Sequence, residues 1–91
     1  MGIDINSFGE KYDLAFETFQ AGDRRIRLAV ANGEPAFEDS REYNLITGNP
    51  LLHLLDSGEW ALVTSKTTTR FKADGGVDAV DRARRILVDN A

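Results

Sequence analysis

The sharpest change of hydrophobic pattern in this chain falls at Asp74-Gly75-Gly76. Before it, Trp60-Ala61-Leu62-Val63-Thr64 opens a run rich in β-branched and aromatic residues that continues to Phe71, the composition of a strand. Trp60 and Leu62 alternate with Ala61 and Val63, apolar on both faces, so this half belongs inside a sheet. Ser65 to Arg70 is polar on both faces and is expected to carry the same long strand beyond the core. After the glycines, Val77, Val80, Ala83, Ile86 and Leu87 recur at helical spacing. Asp78 precedes Arg82, and Asp81 precedes Arg85, by one helical turn in the favourable order for ion pairs. Val77 to Val88 therefore reads as an amphipathic helix.

Upstream, two patterns compete. Ile5, Phe8, Tyr12, Ala15, Phe16 and Phe19 share a face at helical spacing, and Ser7 with Glu10 forms a capping box; Gly22 would end such a helix. Tyr12 to Gln20 also fits a strand, with Tyr12, Leu14, Phe16 and Thr18 on one side. The helix accounts for Ser7 and Glu10 and is the preferred reading. Arg24 to Ala31 is a clearer strand, in which Ile26, Leu28 and Val30 alternate with Arg25, Arg27 and Ala29. Asn32-Gly33 predicts a hairpin turn, with Glu34 to Glu38 returning as an edge strand because Pro35 has no N–H to donate. Asp39 to Thr47 reads as a continuation of that strand or as a loop. Asn49 as N-cap and Pro50 at the first helical position predict a short helix over Leu51 to Leu55, ended by Gly58.

These elements predict one domain, residues 1–91, of the α+β class. Its core would be a small antiparallel sheet of three or four strands with helices packed on one face. The chain would finish in a long strand and an amphipathic C-terminal helix.

Composition narrows the chemistry. The chain has no cysteine, which excludes thiol catalysis and thiolate metal sites. Its longest apolar run is Trp60 to Val63, too short to cross a membrane. Met1-Gly2-Ile3-Asp4 has neither the basic nor the apolar part of a signal peptide, so a cytoplasmic location is expected. A single histidine, His53, lies inside Leu-Leu-His-Leu-Leu, the setting of a structural side chain rather than a catalytic base. Glu34, Glu38, Asp39 and Glu42 lack the spacing of a calcium loop. Gly75-Gly76 matches neither a dinucleotide fingerprint nor a P-loop, and Asp74 beside it would repel a phosphate. No catalytic residue, metal site or cofactor is implied, and the expected class is a non-enzymatic binding protein.

The net charge of −4 argues against direct wrapping of a nucleic-acid backbone, which draws on clustered lysines and arginines. It suits docking on a basic protein surface. The expected docking residues are Glu34, Glu38, Asp39 and Glu42, with Asp13, Glu17 and Asp23 as additions. In size and charge alone the chain resembles small inhibitors carried by phages and other mobile elements, including those that block CRISPR effectors by occupying nucleic-acid channels. That resemblance implies an inhibitor or adaptor with a basic, nucleic-acid-handling protein partner. The alternative is a nucleic-acid-binding subunit using Lys66, Arg70 and Lys72 on one strand face, joined by Arg24, Arg25 and Arg27 if the two strands are neighbours. A third reading is a self-assembling subunit or homodimer, extending a sheet through the edge beside Pro35 or the overhanging strand.

Overall fold

The computed structural model describes residues 3–89. Its elements, in order, are α1 (Ile5–Lys11), β1 (Ala15–Ala21), β2 (Arg24–Val30), α2 (Phe37–Thr47), β3 (Leu51–Leu54), β4 (Trp60–Val63), β5 (Thr68–Phe71) and α3 (Gly76–Asp89). The five strands form one sheet in sequence order, β1-β2-β3-β4-β5. All neighbours are antiparallel except β2 and β3, which run parallel and are joined through α2 as a βαβ crossover. The class is α+β as expected, but the sheet is larger than three or four strands and mixed rather than antiparallel.

The helices also divide between the two faces. On one, Phe8 of α1 and Tyr43 of α2 stack at 5.2 Å over Ala29 and Leu51. On the other, Ala79 and Ala83 of α3 lie against Leu28, Leu52 and Leu62, with Phe19, Val30, Trp60 and Phe71 completing the cluster. A sheet whose central strands are apolar on both faces needs both covered, which corrects the expectation of helices on one side only.

Both readings of the N-terminal stretch contain part of the answer. The helix is real but ends at Lys11, and Asp4 rather than Ser7 caps it, accepting from the Asn6 N–H at 3.0 Å. The aromatic run beyond it is β1. Gly22, read as a helix stop, instead sits at the two-residue turn between β1 and β2, where Ala21 pairs with Arg24 and Gly22 takes φ +62°, a left-handed value that glycine reaches without strain.

Asn32-Gly33 turns the chain out of the sheet, not into a hairpin. Pro35 is buried in the following loop, and the expected return strand and its continuation become α2. Leu51 to Leu54 is β3, not a helix: Leu51 and Leu52 are fully buried between the two helical layers, and a run apolar all round suits a doubly covered strand as well as a buried helix. The long terminal strand is two strands. Thr64 closes the turn by pairing its N–H with Thr67 C=O at 2.8 Å, while its hydroxyl accepts from the Thr67 N–H at 3.0 Å. Pro35 lies off the sheet and the expected overhanging strand is folded back as β5, so the sheet edges are β1 and β5.

The last helix is as expected. Arg82 pairs with Asp78 at 2.9 Å and Arg85 with Asp81 at 2.7 Å. Only Val77, placed on the apolar side, instead lies 90% exposed in the first turn.

Candidate functional site

The parallel ladder between β2 and β3 stops early, and this opens a slot in the sheet. Ala29 N–H donates to Pro50 C=O at 3.0 Å and Ala31 N–H to Leu52 C=O at 2.9 Å, so odd-numbered residues of β2 turn their peptide groups toward β3. Continued one step back, the pattern would require the amide of residue 50 to donate to Arg27 C=O. Residue 50 is proline and has no N–H. The ladder ends there, while β2 runs on to Arg24 with Arg25 and Arg27 facing no strand on that side.

What remains is a gap between the first half of β2 and the β4–β5 turn, an open cavity of about 580 Å³. Ile86 and Leu87 of α3 border it from one sheet face, and Asn44 and Gly48 at the end of α2 border it from the other. Arg24, Arg25, Arg27 and Lys66 line it, and among the described residues no carboxylate or aromatic side chain does.

The two long walls of the slot differ. On the β4 side, α2 reaches the end of the ladder: the Asn44 side-chain amide donates to Val63 C=O at 3.0 Å and to Asn49 C=O at 2.8 Å. Arg41 donates to Ser65 C=O at 3.0 Å. On the β2 side nothing among the described residues plays this part for Arg25 and Arg27. Asn44 itself is 2% exposed, and its Oδ1 is buried without a hydrogen-bond partner.

Strand direction also sorts the charges. β2 and β3 run away from the slot and β4 runs toward it, so the β2–α2 loop, the β3–β4 turn and the end of β5 meet at the opposite end of the sheet. Glu34 lies in that loop, Asp56 and Glu59 in that turn, Glu38 and Asp39 in the first turn of α2, and Asp74 between β5 and α3. Glu34 accepts from the Asp56 N–H at 2.9 Å and ties two of them together.

The expected docking residues are thus only partly gathered. Glu34, Glu38 and Asp39 share this acidic end; Glu38 and Asp39 occupy the first turn of α2, where the helix dipole favours acids. Asp13, in the α1–β1 turn, instead borders a separate cavity with Glu10, Arg27 and Thr47. Glu42 lies farther along α2, and its carboxylate accepts the Ile3 N–H. Glu17 pairs with Leu28 on the α3 face of β1, the opposite face from α2. Asp23 stands at the β1–β2 turn beside the slot arginines.

The basic residues are divided as well. β2 and β5 are separated by two strands, yet the slot unites Lys66 with Arg24, Arg25 and Arg27. Lys66 lies in the β4–β5 turn rather than on a strand face with Arg70. Arg70 pairs with Ala61 on edge strand β5. Lys72 borders a shallow cavity with Glu59, Asp74 and Arg82, at the acidic end.

His53 is buried in β3 at 4% exposure, and burial holds its pKa below the usual 6.5, against the opposing pull of a backbone hydrogen bond and of Glu34. Among the described residues no three His, Asp or Glu side chains cluster as metal ligands, and no helix is long and apolar enough to cross a membrane.

Sequence reading missed Asn44, Arg41 and the role of Pro50. The helix α2 turns Ser40, Tyr43 and Asn44 inward and leaves Phe37, Leu45 and Ile46 exposed, so its pattern is inverted with respect to an ordinary amphipathic helix. Compared with models of known families, with curated proteins and with solved structures, the chain matches none.

Proposed function

We propose that this chain is a small non-enzymatic protein-binding module, an inhibitor or adaptor that docks its acidic end on a basic surface of a nucleic-acid-handling protein. One observation supports this reading above others: the strand directions bring Glu34, Glu38, Asp39, Asp56, Glu59 and Asp74 to one end of the sheet. An acidic end of this kind attracts a basic partner and speeds encounter in a salt-dependent way. The outer face of α2 adds apolar area beside it, with Phe37 58% and Leu45 71% exposed. Apolar side chains flanked by charge are the composition of a docking surface.

The test uses Glu38 and Asp39, because Glu34 and Glu42 also hold the fold together through backbone N–H groups. Tagged wild-type protein and the Glu38→Lys, Asp39→Lys double variant are compared in pull-downs from source cells at low and high salt. The expected result is one stoichiometric basic protein, released by salt and lost with the double variant. Retention by the double variant at wild-type level would remove the acidic end from the interface.

A further inference from the structure

The slot at the other end of the sheet is a second binding site, supported by observations independent of the acidic end. We propose that it accepts an extended, acidic peptide segment, which pairs with β2 as an added strand in the place that β3 leaves empty.

The geometry specifies this occupant in three ways. First, Arg25 and Arg27 present two N–H and two C=O groups to the slot. Unpaired backbone groups in that order are the template for an added strand. The opposite wall is already closed by Asn44 and Arg41, so the incoming segment pairs on one side only.

Second, the width suits a strand. β2 and β4 stand two strand spacings apart, about 9.6 Å, wherever β3 lies between them. Beyond the start of β3, β4 ends too, and the open cavity lies between β2 and the β4–β5 turn. The open run Arg24 to Leu28 spans roughly 17 Å, the length of about five extended residues.

Third, the lining selects the side chains. Arg25 and Arg27 project to the α2 face, while Ile26 projects to the α3 face toward Ile86 and Leu87. A bound strand alternates in the same way: acidic side chains on the α2 side and apolar ones on the α3 side. Arg24 and Lys66 lie at the mouth and add to the attraction. The buried, unpartnered Asn44 Oδ1 offers an acceptor at the inner end. A single nucleic-acid strand would also meet the cations, but among the described residues no aromatic ring lines the slot, the Phe16 ring on β1 being occupied by the Arg27 guanidinium at 3.9 Å, and the open peptide groups would go unused.

The test titrates full-length protein with a fluorescent five-residue peptide of alternating Glu and Val, acetylated and amidated at its ends. Controls are its Lys–Val counterpart, a version N-methylated on alternate residues to remove the pairing N–H groups, and an oligothymidylate of similar charge. The Glu–Val peptide is expected to bind and to slow hydrogen exchange at Arg25 and Arg27. N-methylation is expected to weaken it about tenfold or more while leaving its charge unchanged, and Arg25→Glu or Lys66→Glu to do likewise, with unaltered circular dichroism. Equal binding of the methylated peptide, tighter binding of the oligonucleotide, or unchanged exchange at Arg25 and Arg27 would each overturn the proposal. Because Glu38 and Asp39 lie at the far end, their double variant is expected to bind the peptide normally. Failure of either reading is therefore visible separately.

Discussion

The side-chain amide of Asn44 reaches across from α2 to the backbone oxygen of Val63 at 3.0 Å, at the last rung of the β3–β4 ladder, where Val63 pairs with Leu51. The same amide holds Asn49 C=O at 2.8 Å. One side chain thus ties the end of the β3–β4 ladder to the loop that leads into β3, and removing such donors from buried carbonyls is costly. Asn44→Leu removes both hydrogen bonds and is expected to cost roughly 1–3 kcal/mol. The measurement is the urea midpoint, with faster hydrogen exchange expected in the β4–β5 hairpin.

His53 supplies a pH dependence with a definite sign. Its folded pKa lies below 6.5 because burial disfavours the charged ring, so the unfolded chain takes up a proton more readily than the folded one. Stability is then full above about pH 6.5 and falls as the pH drops from there toward the folded pKa. His53→Leu is expected to flatten this part of the profile. Urea denaturation at about pH 5 and about pH 7.5 reads the difference; an unchanged slope in the variant would assign it to other groups.

The two sides of the chain's apolar inventory should respond differently to truncation. Leu62, 1% exposed between Leu28, Leu52 and α3, is expected to lose roughly 2–5 kcal/mol on change to alanine, a large part of the stability of a small domain. Leu45→Ser on the outer face of α2 is expected to leave the midpoint within about 0.5 kcal/mol. Thermal or urea unfolding of both variants checks the contrast.

Gly22 isolates a backbone effect. A Cβ there meets nothing within 4 Å, but φ is +62°, so Gly22→Ala pays only for the left-handed conformation, about 1–2 kcal/mol. Gly22→Asn is expected to lose less, because asparagine tolerates this region. Equal losses for the two would mean the turn rearranges instead.

Some of this architecture is legible without coordinates. The terminal helix and both its ion pairs follow from charges one turn apart and apolar residues at helical spacing, and β2 follows from strict alternation. The central position of Trp60 to Val63 follows from its two apolar faces. At the candidate sites, sequence locates the acids of the 34–39 stretch and the arginines of β2, since charged residues near turns stay at the surface.

The rest depended on what packs against what. Leu51 to Leu54 is apolar apart from His53, which a buried helix and a doubly covered strand satisfy alike; only the presence of α2 and α3 on opposite faces decides for the strand. On the inward face of α2, Tyr43 joins the apolar cluster while Asn44 binds the carbonyls of Asn49 and Val63, contacts that sequence does not reveal. Pro50 reads locally as a helix start, whereas its missing N–H ends the β2–β3 ladder and opens the slot. Sequence by itself determined the class of the domain, its closing helix and its charged residues, because those rest on periodicity within one segment. Tertiary structure decided the parallel pairing, the two covered faces and the separation of an acidic end from a cationic slot, because each requires segments distant in the chain to meet.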